Sequence, residues 1–151
     1  MIDMLEGHGK LSIRKLLDSC KPSNPQDMTD QQLNRWLAEY MGYTISEYKD
    51  KWGWLMCPNG DNVHESLFPL DELWGFVPDY CTDPAASLEV QAKAIEVSAD
   101  KYVSNLDVIV NPDTIGDWTN DEIAKLLIAT PRKRAEAAYI TLSSHPLRED
   151  I

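Results

Sequence analysis

Ile128-Ala129-Thr130-Pro131-Arg132-Lys133-Arg134-Ala135-Glu136-Ala137-Ala138-Tyr139-Ile140-Thr141-Leu142 is the stretch from which the rest of the chain can be read outward. Thr130 is a good helix N-cap, and Pro131 takes the first helical position, where a missing N–H costs nothing. Ala135, Ala138, Tyr139 and Leu142 recur at i, i+3, i+4 and i+7, one apolar face of a helix. Against that regular pattern, Arg132, Lys133 and Arg134 crowd the first turn. The helix macrodipole is positive there, and each cation costs roughly 0.3–1 kcal/mol. Two readings follow. Either Arg132 pairs with Glu136 one turn on and the other two are solvated, or free N–H groups and cations together form an anion site. On the dipole argument alone, replacing Arg132 and Arg134 with glutamine leaves folding stability unchanged or slightly higher.

Upstream of this helix, Asn120-Asp121-Glu122 begins a short helix through Leu127. Leu106–Val110 reads as a strand, Asn111-Pro112-Asp113 as a turn and Thr114–Trp118 as a returning strand. Thr82 or Asp83 caps a helix over 83–99, with Pro84 just inside its start. Leu88, Ala92, Ile95 and Ala99 line one face, and Ala85, Val90, Ala94 and Val97 widen it, as suits a helix lying on a sheet. Trp118 ends its strand shortly before the basic helix, while Tyr102 and Asn105 flank the start of the preceding strand. A cationic trio facing phosphates and an aromatic ring facing a base would form a nucleotide pocket. The alternative is that Trp118 belongs to the core.

Further back, Tyr43–Tyr48 and Trp52–Cys57 are strand-like, with Trp52, Trp54 and Met56 on one face. Pro58-Asn59-Gly60-Asp61 is a strong turn that returns the chain as Val63–Leu67, and Phe68–Tyr80, broken by Pro69 and Pro78, reads as a buried connection. The segment 29–41 carries a full set of helix signals. Thr29 and Gln32 form a capping box, Met28 and Leu33 a hydrophobic staple, and Gly42 the stop. Leu33, Trp36, Leu37, Tyr40 and Met41 make its apolar stripe. Residues 1–27 stand apart as an N-terminal extension and linker, with an amphipathic piece at Ser12–Leu17 and two prolines in Lys21–Asp27. Residues 28–145 form the domain. Helices and antiparallel hairpins in this order imply an α+β fold, an antiparallel sheet covered by helices in an αβα sandwich.

The 151 residues carry a formal charge of −11. Such a surface repels phosphate backbones, which argues against general nucleic-acid binding and favours either a basic protein partner or a small basic pocket in an acidic shell. Hydrophobic residues at 43 % with five tryptophans exclude disorder. Cys20, Cys57 and Cys81 form no CxxC pair, and the scattered histidines have no metal-ligand spacing. No run approaches membrane-spanning length, and the chain reads as a soluble protein of a reducing cytoplasm. Phosphate-binding, nucleophile and cofactor motifs are absent, so nothing in the sequence asks for an enzyme or a cofactor.

Three patches together carry a resemblance: Glu39-Tyr40-Met41-Gly42-Tyr43, Tyr80-Cys81-Thr82-Asp83-Pro84-Ala85-Ala86, and the Ala129-Thr130-Pro131 helix start with Ala135 and Ala138. In that order they resemble the small phage proteins of the ABA-sandwich domain family, also called Bacillus phage protein-like, over about residues 29–142. That family includes the Thoeris anti-defence sponges, which bind cyclic ADP-ribose isomers, and in some cases cyclic oligonucleotides, without cleaving them. The resemblance implies an αβα sandwich, a phage protein acting in the host cytoplasm, a homo-oligomer, and ligand capture between protomers. The N-terminal extension and the helical character of Asn120–Leu127 depart from the family pattern.

The leading expectation is therefore a non-enzymatic anti-defence protein that sequesters a cyclic nucleotide. Arg132, Lys133 and Arg134 would hold phosphates, Trp118 or Tyr102 would stack on a base, and Thr130 and Asn105 would complete the ligand-binding set. The competing expectations are an acidic inhibitor that masks a basic host protein surface, and a phage accessory protein without a ligand. A sponge needs its cations to converge in a concave site. An inhibitor needs a continuous exposed acidic or apolar face.

Overall fold

A computed structural model describes residues 24–145. The first helix, α1 (Asp30–Met41), begins as its capping signals require. The Thr29 N–H donates to Gln32 Oε1 at 2.9 Å, and the Gln32 N–H donates to Thr29 Oγ1 at 3.1 Å. Met28 and Leu33 are both buried in the core, and Gly42 closes the helix in the left-handed region at φ 108°. Leu33 and Leu37 are fully buried, while Trp36 is half-buried, stacked on Tyr40 and edge-on to Tyr139.

The sheet follows. Strands β1 (Thr44–Lys49), β2 (Trp52–Met56) and β3 (Phe68–Pro69) run antiparallel in the order β1-β2-β3. A two-residue turn joins β1 to β2, with Asp50 and Lys51 both at positive φ, a conformation usually given to Asn-Gly. Ile45 pairs with Leu55 and Glu47 with Gly53. The buried face of β2 carries Gly53 and Leu55, so Trp52, Trp54 and Met56 alternate as expected but lie on the less buried side. The turn at Pro58–Asp61 forms, with the Gly60 N–H donating to the Cys57 carbonyl at 2.9 Å. Its return is a correction to the expected strand Val63–Leu67. Only a single bridge, Met56 to Asn62, joins β2 there, and pairing resumes at Phe68.

After a short helix, α2 (Leu70–Leu73), and a 3₁₀ turn over Trp74–Phe76, the chain enters α3 (Pro84–Val110). Asp83 caps it, accepting from the Ala85 N–H at 3.1 Å. The helix runs past its expected end at 99. Ser98 leaves helical geometry (φ −162°, ψ 97°), and its Oγ accepts from the Lys101 N–H at 3.4 Å, so the helix stops and restarts on a new cap. The expected strand Leu106–Val110 is therefore helix. Tyr102 and Leu106, four residues apart, point into the core. The expected strand Thr114–Trp118 is an irregular connection. The apolar stripe of the first half also differs from expectation. Leu88 and Ile95 are 46 % and 41 % exposed, and the buried set is Ala86, Ser87, Val90 and Ala94.

Helix α4 (Asn120–Leu127) has a complete Thr119–Glu122 capping box, and α5 (Pro131–Ser143) starts at Thr130 and Pro131 as its sequence dictates. The α+β class and the antiparallel sheet are as expected, but the helices pack first on one another. Helix α5 is central, lying against α3 and against α1. Small residues make the α3–α5 seam: Ala86, Ser87 and Ala94 on one side, Ala135, Ala138 and Thr141 on the other. Such residues let backbones approach closely, and close packing rather than side-chain bulk supplies the contact. Around that seam, Leu33, Leu37, Val90, Tyr102, Leu106, Tyr139 and Leu142 complete the core.

Candidate functional site

The basic helix start is occupied by the protein itself. Arg132 Nε donates to Glu136 Oε2 at 2.7 Å, and NH1 donates to Asp30 Oδ1 at 2.5 Å. NH2 donates to the carbonyls of Pro25 and Met28, at 2.8 and 2.7 Å. The guanidinium is thus surrounded by two carboxylates and two carbonyls, which offsets its unfavourable place on the helix dipole. Its pKa is raised, with the Glu136 and Asp30 bonds outweighing burial. Pro25, from the stretch read as a linker, is buried here in a 3₁₀ turn over Pro25–Asp27. The amphipathic piece Ser12–Leu17 lies outside the described residues.

The other expected site residues do not gather around Arg132. Arg134 NH1 donates to the buried Ser87 Oγ at 3.1 Å, across the α3–α5 seam. Tyr102 is buried, its hydroxyl donating to Gln91 Oε1 at 2.8 Å, and burial raises its pKa. Asn105 donates to Thr141 Oγ1 at 3.0 Å. Thr130 serves as N-cap, accepting from the Lys133 N–H at 3.3 Å. Lys133 is exposed, and Trp118 is exposed on the connection between α3 and α4. The structure therefore brings Arg132, Arg134, Tyr102 and Asn105 into internal polar contacts and leaves Lys133 and Trp118 at the surface.

A different feature of the surface is built by residues 108–128. Val108, Ile115, Trp118, Ile123, Leu127 and Ile128 are all exposed, and Ile115, Leu127 and Ile128 are 100 %, 75 % and 77 % exposed. Ile123 and Leu127, one turn apart, share a face of α4. Leu126 turns the other way and packs on the core. Buried Asn111 fixes the base of this segment. Its side-chain amide donates to Asp107 Oδ1 at 2.9 Å and to the Glu122 carbonyl at 3.4 Å. Among these apolar residues stand Asp113, Asp117, Asp121 and Glu122, with Lys125 as the sole cation of the segment. The α4 capping box, built on exposed Thr119 and half-buried Glu122, holds the Glu122 carboxylate below its usual range. The signal for this segment was present in the sequence. Hydrophobic residues recur there, but a hairpin over Leu106–Trp118 and a short helix through Leu127 do not reveal which of them stay exposed.

Among the described residues no helix is long and apolar enough to cross a membrane. Comparison with protein-family models, with curated proteins and with solved structures finds no match to the chain.

Proposed function

We propose that the chain is a non-catalytic protein-binding protein whose contact surface is the exposed apolar segment 108–128 with its acidic residues. The observation that carries this reading is the exposure of Ile115, Leu127 and Ile128 within one stretch of a folded chain. Large exposed apolar side chains grouped in this way mark interaction surfaces. The four acidic residues of the segment, and the −11 total, suit a partner that presents an apolar groove rimmed by Lys and Arg. In the phage setting that the resemblance implies, such a partner is a host defence protein, and masking its basic surface is the inhibitory act.

Capture of a cyclic nucleotide at the basic helix start has less support. Arg132 would have to give up its bonds to Glu136, Asp30, Pro25 and Met28, and Lys133 would stand alone as the exposed cation of the trio. Self-association would cover the same apolar residues, and the homo-oligomer implied by the resemblance is the competing occupant.

Titration with two amphipathic helical peptides, one of Leu and Lys and one of Leu and Glu, tests the proposal. The full chain should bind the basic peptide, bind it less at high salt, and ignore the acidic one. Leu127→Asp with Ile128→Asp should abolish that binding without loss of helicity. Equal binding of both peptides, or no effect of the double substitution, overturns the reading. So does a stable homo-oligomer that the same double substitution dissolves.

A further inference from the structure

A concave feature lies on the opposite side of α1 from its buried stripe. A cleft of about 640 Å³ is lined by Gln31 and Arg35 of α1, Ile45 of β1, and Leu70, Asp71 and Trp74. Its size falls within the range of small-ligand and short-peptide sites, roughly 300–1,000 Å³. It shares no residue with segment 108–128.

The chemistry of the cleft is set by Arg35. Its guanidinium lies over the Trp74 ring, 5.0 Å from the centroid, and its Nε is held by Glu39 Oε1 at 3.2 Å. These two contacts favour one orientation of a side chain that is otherwise long and mobile, and leave it half exposed. Its terminal nitrogens, NH1 and NH2, have no hydrogen-bond partner among the described residues. A guanidinium held in this way presents a two-pronged donor edge matched to a carboxylate. Ile45, Leu70 and the indole supply an apolar wall. Asp71 places a negative charge in the same cleft, which disfavours a phosphate dianion and offers an acceptor to an amide N–H. Gln31 adds one amide that can both donate and accept.

We infer that this cleft binds the C-terminal end of a peptide whose last residue is apolar. The carboxylate would meet the Arg35 fork, the apolar side chain would lie on Ile45, Leu70 and Trp74, and a backbone N–H would donate to Asp71. A free N-acyl amino acid shares this chemistry but fills less of the cleft.

The test uses the full chain and three probes: the peptide acetyl-Gly-Leu-Ile with a free carboxylate, the same peptide as its C-terminal amide, and N-acetyl-isoleucine. Calorimetric titration should show the free acid binding roughly tenfold or more tightly than the amide, since one charge-assisted contact is lost. Arg35→Gln should remove that preference, and Arg35→Lys should restore it only in part, because the ammonium lacks the fork. Arg35 is half exposed on α1, so both variants should fold, and a circular dichroism melt confirms it. Acid and amide binding alike, or Arg35→Gln behaving as the parent chain, overturns the inference. N-acetyl-isoleucine binding as tightly as the tripeptide overturns the assignment to a peptide, and inorganic phosphate competing at equal affinity overturns the carboxylate assignment. Leu127→Asp with Ile128→Asp should leave this binding unchanged, which separates it from the proposed protein contact.

Discussion

Arg132 and Asp30 lie 102 positions apart in the chain, yet the guanidinium of one meets the carboxylate of the other at 2.5 Å. The same guanidinium reaches Glu136, whose side chain is only 8 % exposed. The entrance of α5 is thereby tied to the entrance of α1. Arg132→Gln should leave Glu136 nearly buried without its cation and cost about 3 kcal/mol, a fall of roughly 6–12 °C in Tm. Arg134→Gln, which loses one bond to Ser87, should cost about 1 kcal/mol. This reverses the dipole expectation of unchanged or raised stability. A double variant that melts with the parent chain would show that the Arg132 contacts contribute nothing.

Asp79 should make the protein acid-sensitive. Its carboxylate accepts from the Thr82 hydroxyl, from the Cys81 and Thr82 N–H groups at 3.2 Å each, and from Asn34 Nδ2 at 3.0 Å. These bonds, the Thr82 hydroxyl foremost, hold its pKa below the ordinary carboxylate range. A lowered folded-state pKa means the unfolded chain binds the proton more readily. The Asp79 contribution is thus complete above the ordinary carboxylate value and is lost as pH falls through the folded one. Asp79→Asn should lower stability at pH 7 and flatten the acid limb of a Tm-against-pH curve. An acid limb identical to the parent would remove Asp79 from this role.

Cys81 should resist thiol reagents. Burial, then the Asp30 charge, pushes its pKa up to about 12 despite the nearby Arg132. At pH 8 the native chain should be alkylated at half-buried Cys57 but not at Cys81, with the sites assigned by mass spectrometry. A raised thiol pKa favours the neutral folded form. From the ordinary thiol value upward the unfolded chain ionises first, and stability should decline with pH there. Rapid labelling of Cys81 in the folded chain would contradict the buried, uncharged site.

The β1–β2 hairpin offers two opposite substitutions. Lys51 sits at φ 68°, where a side chain is strained, so Lys51→Gly should stabilise by about 0.5–1 kcal/mol. A Cβ on Gly53 would stand 2.4 Å from the Ser46 carbonyl oxygen and 2.8 Å from Leu70 Cδ2. Backbone cannot yield cheaply, and Gly53→Ala should cost about 2–3 kcal/mol in urea denaturation. A neutral Gly53→Ala would place that strand differently.

What the sequence disclosed and what it withheld divide by range. The capping box at Thr29–Gln32, the stop at Gly42, the short helix begun by Asn120-Asp121-Glu122 and the start at Thr130-Pro131 are local chemistry and appear as read, while the Thr119–Glu122 capping box was equally local and went unread. Leu106–Val110 is apolar in either conformation. Its helical state is decided by the new cap at Ser98 and by Tyr102 and Leu106 finding α5, neither of which periodicity reveals. Arg132 was legible as an anomaly, and its Glu136 partner one turn away was legible too. Asp30, Pro25 and Met28 were not, because only the folded chain brings them there. The Asp50-Lys51 turn escaped notice for lack of the usual glycine.

The break at Ser98 divides one run of 27 residues into two mechanical pieces. The first is fastened to α5 by Arg134 on Ser87, the second by Asn105 on Thr141. A pull or a partner acting at Val108 is not passed up an unbroken ladder to Pro84, because the transmission is interrupted at one serine. The exposed segment can therefore be loaded, bent or frayed while the capped start of the helix stays seated. Amide exchange should show two protection levels along a helix drawn as one.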